Sequence, residues 1–223
     1  MTWKSFFVSS IGKKFTMGLT GLFLITFLVV HCFLNAMIFF NDDGETFNHW
    51  AHFMGSNLII RTAEIGLFLF LILHIVQGLI LWKQNSEARP IGYHSNKPEK
   101  NSTWYSRSMG ILGTLLLLFL IMHISHFFIG TKVALYGSGD GDHHLFEEMK
   151  LVFSVWYIVV AYMLGLIALF WHLLHGFQSA FQSFGLNHKR YTPIIKAAGA
   201  GYSIIICILF ALMPLGIYFG WII

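Results

Sequence analysis

Six histidines, His31, His74, His123, His126, His172 and His175, lie inside long apolar runs of this sequence. A polar ring at membrane depth is costly and marks a candidate functional position. The clearest case is Phe170-Trp-His-Leu-Leu-His-Gly176, which closes a run from Leu151 that holds no Asp, Glu, Lys or Arg yet carries His172 and His175. Imidazole nitrogens are common metal ligands. Four separate runs, each offering at least one, point to two metal centres with two histidines each. Inside a membrane the centre that suits such a pair is a b-type haem. The two cysteines, Cys32 and Cys207, are both in apolar runs, and no Cys-x-x-Cys-His motif is present. They imply neither a disulfide framework nor covalent haem attachment.

The elements that must position these rings follow from composition. The 223 residues are 56% hydrophobic and 11% charged, against about 25% charged for a soluble domain. With a mean hydropathy of +0.67, nearly all the length is spent on membrane spans, and the expected fold is an all-α single membrane domain, 1–223. Five runs reach the roughly 20 apolar residues a bilayer requires: 15–40, 58–82, 109–129, 151–177 and 197–222. The basic, partly aromatic segment before the first run resembles the start of a signal peptide. The run is too long for one and ends in no small-residue cleavage site, so the expectation is a retained span preceded by an interfacial segment at residues 1–12. Thr192-Pro193 is a helix-start signal, and Pro214 is expected to kink the last helix.

Charge sets the expected orientation. Lys4, Lys13, Lys14, Lys83, Arg89, Lys97, Lys100, Arg107, Lys189, Arg190 and Lys196 fall on one side of the five spans, leaving Arg61, Lys132 and Lys150 for the other. Eleven of the fourteen basic residues on one side place the N-terminus in the cytoplasm by the positive-inside rule. The opposite loops are acidic, with Asp42, Asp43, Glu45, Asp140, Asp142, Glu147 and Glu148. The net charge of +4 therefore reports topology rather than a nucleic-acid partner. The polar 83–107 connection, too short for a domain, is a candidate docking surface.

Depth pairs the histidines. At 1.5 Å per residue, His31 lies roughly 25 Å from the inner side and His123 roughly 24 Å, whereas His74 lies about 13 Å from it and His172 is near the inner end of its helix. His31 and His123 thus form an outer layer, His74 and His172 an inner one, and two haems would stack across one bundle. A small residue often follows one turn later on the same face: Asn35 after His31, Gly78 after His74, Gly176 after His172. Such a residue lets a flat macrocycle approach the backbone. In the third run this spacing favours His126, which precedes Gly130, whereas depth favours His123. One histidine alone could simply hydrogen-bond between helices; four on four helices matched in depth are poorly explained that way. His126 and His175 are expected to be partners of a ligand or of a haem propionate. His49, His52, His94, His143, His144 and His188 are expected in loops, with His143-His144 beside acids that could take a stray metal ion.

With five spans, an inside N-terminus and this histidine layout, the chain resembles the two-haem cytochrome b anchor of succinate:quinone oxidoreductases and quinol:fumarate reductases. The resemblance covers nearly the whole length. Ser10-Ile-Gly-Lys-Lys-Phe-Thr-Met-Gly-Leu-Thr-Gly21 is similar to that family's entry to the first helix. His31-x-x-x-Asn35, His74-x-x-x-Gly78 and His172-x-x-x-Gly176 resemble its ligand-bearing patterns, and His123-Ile-Ser-His-Phe127 its third ligand segment with the first histidine as ligand. The resemblance implies two haem b groups, held by His31 and His123 and by His74 and His172. It implies a quinone, more often menaquinone, and cytoplasmic partners: an iron–sulfur subunit and a flavoprotein subunit carrying FAD, where the dicarboxylate chemistry takes place. The setting would be a bacterial inner membrane. Where some members carry a glutamate two residues before the fourth ligand, this chain has Phe170, and that proton route is not carried over.

Two rival readings stand beside this one. The partner could be a molybdenum reductase or another dehydrogenase, or the histidines could line a transporter or channel path, which would show no haem spectrum. One carboxylate, Glu64, lies well inside a span, about 15 Å before His74 along the helix. It is either paired with Arg61 three residues earlier or a proton group for quinone chemistry beside the outer centre.

Overall fold

The computed structural model describes residues 9–88, 102–136 and 144–223. Most of the expected interfacial segment, most of the 83–107 connection, and with them His94, His143, Asp140 and Asp142, lie outside the described residues. Every regular element among the described residues is helical. Helix α1 is Ser10–Asn35, continued by a 3-10 turn at Ala36–Phe40. Then come α2 (Glu45–Ser56), α3 (Leu58–Glu87), the single turn α4 (Trp104–Arg107), α5 (Met109–His123) with a π-turn at Ile124–Ile129, and α6 (Gly130–Tyr136). The chain ends with α7 (Leu145–Phe153), α8 (Trp156–Ser183) and α9 (Thr192–Tyr218). Five stretches are long and apolar enough to cross a membrane: Ser10–Phe40, Leu58–Glu87, Met109–Val133, Trp156–Ser183 and Thr192–Tyr218. The chain is therefore a multi-pass membrane protein by the length and composition of its helices.

Local chemistry explains where the helices begin. The Ser9 side chain accepts the Gly12 N–H at 3.1 Å, and Asn57 accepts those of Ile59 and Ile60, each supplying a partner for N–H groups that a helix leaves unbonded. Pro193 sits in the first turn of α9, where its missing N–H costs nothing. The first span begins near residue 10 instead of 15, because Lys13 and Lys14 ride on the helix.

Two expected boundaries move for physical reasons. The fourth span starts at Trp156, not Leu151. The apolar run is continuous there, but Ser154 and Val155 break it, and Phe146, Met149 and Phe153 bury one face of the separate helix α7 against the end of the bundle. The last helix runs unbroken through the buried Pro214 and stops at Tyr218. Gly220 then takes a left-handed conformation, φ +70, and Ile222 folds back over Gly216.

These features close one end of the bundle. Helices α2 and α7 meet there through Phe47 and Phe146 (ring centroids 6.4 Å apart), and the Phe146 N–H donates to Asn48 Oδ1 at 3.0 Å. The Ile223 N–H donates to Asn41 Oδ1 at 2.7 Å, tying the C-terminal turn to the same end. Asp42 accepts from the Thr46 hydroxyl and N–H, which holds its carboxyl below the usual range. Its contribution to this cap is thus present above the ordinary carboxylate pKa and is lost as pH falls through the lowered one. Most of the buried core, including Met37, Ile38, Phe146, Tyr162 and Met213, lies toward this capped end.

Within the bundle, α8 packs on α1, α5 and α9, and α1 also packs on α3. Small residues permit the close approaches, as is usual between membrane helices: a Cβ on Gly18 would stand 3.1 Å from that of Ser183. Helix α3 has no buried residue and rides on the periphery, against α1 and less extensively α5.

Candidate haem-ligand site

The fold brings four of the six membrane histidines together as two pairs. The rings of His31 on α1 and His123 on α5 have centroids 5.7 Å apart, with planes at 89°. Those of His74 on α3 and His172 on α8 are 6.2 Å apart, at 66°. A metal–imidazole nitrogen bond is about 2 Å. Two imidazoles on opposite sides of one metal therefore have ring centres roughly 6 Å apart, the spacing of both pairs. No group of three or more His, Cys, Asp or Glu suited to a metal ion occurs among the described residues. Two protein ligands per centre suit a haem, whose macrocycle supplies the other nitrogens, and would leave a bare ion poorly held.

Two helices independently give the spacing between the pairs. On α1, Gly21 lies against His74, whose Cε1 would be 3.5 Å from a Cβ there, while His31, ten residues on, meets His123. On α8, Tyr162 packs edge-on to His123 at 6.1 Å, and His172, ten residues on, meets His74. Ten helical residues rise about 15 Å. The His31–His123 pair lies toward the capped end and is lined by Phe27, Phe119, Phe127 and Phe210.

The ring nitrogens are unequally provided for. The Nδ1 atoms of His123 and His172 are buried and have no hydrogen-bond partner. His31 Nδ1 is 3.4 Å from Asn35 Nδ2, beyond the usual range, because that amide donates to the His31 carbonyl at 2.7 Å. His74 Nδ1 is 3.1 Å from Thr20 Oγ1. Unpaired ring nitrogens in apolar surroundings are costly, and of the four Nδ1 atoms only that of His74 has a partner within the usual range.

The glycines one turn after two of these histidines face open space. A Cβ on Gly176 would meet nothing within 4 Å, and one on Gly78 only the Met17 methyl at 3.9 Å. Gly130 differs, since a Cβ there would come 2.9 Å from a Glu148 carboxylate oxygen. The His126–Gly130 spacing therefore reflects packing. The π-turn after His123, a feature frequent at functional sites, sends the two histidines of this segment to different neighbours. His126 Nδ1 lies 3.1 Å from the Tyr162 hydroxyl. His175 faces Tyr105, ring centroids 6.4 Å apart, in a cluster with Trp104 and Trp171. Neither joins a pair.

Glu64 is paired across helices. Its Oε2 accepts from Lys132 Nζ at 2.7 Å, and Lys132 also lies over the Phe128 ring at 5.1 Å. The expected neighbour, Arg61, reaches the Gly55 carbonyl at 3.4 Å. Lys132 belongs to the third span, which extends to Val133, and not to the loop where the apolar run suggested it. With side chains 28% and 19% exposed, this pair is less screened than a surface one.

Thr20, Tyr162 and Lys132 were not legible as site residues. Each meets its partner on another helix, and only Lys132, as a charge near an apolar run, left a mark in the sequence. Of the described loop histidines, His144 shares a surface depression with Asp43, Glu45 and Glu147, and His188 Nδ1 accepts the Arg190 N–H at 3.2 Å.

No family model, no curated protein and no solved structure matches the chain. The residues themselves carry the functional argument.

The open space at Gly176 gives a direct test of fit. Gly176→Leu should leave the fold intact, since among the described residues nothing stands within 4 Å of a Cβ there, and should abolish binding at the His74–His172 centre. Two haems per chain in that variant would mean that the space faces lipid.

Proposed function

We propose that the chain is the two-haem cytochrome b anchor of a succinate:quinone oxidoreductase or quinol:fumarate reductase. The observation that carries the reading is the pair of His–His contacts, each near 6 Å, stacked about 15 Å apart along the bundle. His31 and His123 would hold one haem b, and His74 and His172 the other. Haem b, when bound, supplies one-electron carriers.

The chain's own residues do the rest. Helices α1 and α8 reach both centres and fix their separation. Electron tunnelling fades exponentially with distance, so two centres at different depths divide a roughly 30 Å apolar core into short steps. Phenylalanines around the His31–His123 pair and the cap formed by α2, α7 and the C-terminal turn exclude water from the outer layer. The end opposite the cap carries Lys13, Lys14, Lys83, Arg107, Lys189 and Arg190. By the positive-inside rule that end is cytoplasmic and is the docking face for the iron–sulfur and FAD-bearing flavoprotein subunits, in a bacterial inner membrane. Quinone, more often menaquinone by the resemblance, would react toward the capped end. There Glu64, its Oε2 paired with Lys132 Nζ at 2.7 Å, would be the carboxyl group nearest the quinone chemistry.

Reduced-minus-oxidised spectra of histidine variants test the ligand set. His74→Ala or His172→Ala should remove one haem and His31→Ala or His123→Ala the other, with His126→Ala and His175→Ala retaining both. A His172→Ala variant that keeps two haems while His175→Ala loses one would reverse the α8 assignment. Succinate added to the assembled complex should reduce both haems; no reduction would favour the anchor of a different dehydrogenase. Glu64→Gln should keep normal haem content and normal activity with artificial acceptors at the flavoprotein, with quinone-linked turnover reduced at least tenfold. Unchanged quinone turnover would leave Glu64 with only its ion pair to Lys132.

A further inference from the structure

Thr20 is buried, 1% exposed, and the electron route above requires no hydroxyl there. Its one hydroxyl hydrogen has two backbone acceptors one turn back, the Thr16 carbonyl at 2.8 Å and the Met17 carbonyl at 3.3 Å. Threonine inside a helix commonly bonds back in this way. With that hydrogen committed, the oxygen presents only lone pairs to His74 Nδ1, 3.1 Å away. In the Nδ1–H tautomer the hydrogen between them comes from the ring.

We infer that Thr20 is a positioning residue for the inner centre: it accepts the Nδ1–H of His74 and so fixes the tautomer whose Nε2 lone pair can bind iron. The inference rests on the reading that His74 is a haem ligand. Helix α1 supports the ring at a second point, with Gly21 beside Cε1, so ring orientation and tautomer are both set by one helix. An imidazole whose second nitrogen donates a hydrogen bond is a more basic ligand and favours the ferric over the ferrous state. The other three rings lack such an acceptor: Nδ1 of His123 and of His172 is unpartnered, and His31 Nδ1 faces a donor nitrogen at long range. Thr20 therefore acts on one centre alone and makes the two haems unequal.

The test is a potentiometric titration of both haems in the full complex carrying Thr20→Val, which keeps the shape and removes the acceptor. His172→Ala, which retains only the outer haem, assigns the two potentials. Losing one hydrogen bond of ordinary strength should shift the inner haem's reduction equilibrium about three- to tenfold toward ferrous iron, where tenfold is about 59 mV for a one-electron couple. The outer haem should not move, and Thr20→Ser should restore the wild-type value. Inner-haem loss in Thr20→Val that Thr20→Ser repairs supports the same assignment. Unchanged potentials in Thr20→Val, equal shifts of both haems, or inner-haem loss in both variants would overturn it. A wild-type chain that binds no haem defeats the underlying reading and this inference with it; a two-haem wild type with unchanged Thr20→Val potentials defeats this inference alone.

Discussion

Four half-buried imidazoles set among apolar helices, each a polar ring in surroundings that offer it few partners, are the constraint around which the molecule is arranged. In hydrocarbon there is no water to pair with a ring nitrogen. The bundle turns the four rings toward one another in two pairs, yet leaves the Nδ1 atoms of His123 and His172 unbonded. Each pair gathers polar rings from two different helices at one depth, which is costly in an apolar bundle. The peripheral placement of α3 fits the same view: a helix with no buried residue holds His74 against α1 and His172 from outside.

The two ends of the bundle solve different problems. At one end, α2, α7 and the C-terminal turn interlock through Phe47, Phe146, Asn48 and Asn41 and bury most of the core. This closure stands over the His31–His123 pair. The other end carries the basic residues and an aromatic group formed by Trp104, Tyr105 and Trp171, a composition typical of a membrane–water interface.

The number of spans was legible because a bilayer demands length and apolarity, and both are visible in composition. The pairing of His31 with His123 and of His74 with His172 was legible because helical rise converts residue number into depth. Other features were not. Leu151–Phe153 reads as part of a span, since an apolar face that packs on the bundle end looks the same in sequence as one that faces lipid. The spacing that set His126 beside Gly130 mimicked a cofactor approach, and only the Glu148 carboxylate against that glycine exposes it as packing. Glu64 found Lys132, 68 residues away, a partner across helices that no local spacing rule reaches.

The most direct measurement is the amount and spin state of haem in the purified chain, by pyridine haemochrome assay against protein and by low-temperature electron paramagnetic resonance of the oxidised form. Two non-covalent haems b per chain, both low-spin as two imidazole ligands require, are the predicted result. One haem per chain, none, or a high-spin centre in the intact protein would contradict the two-pair account.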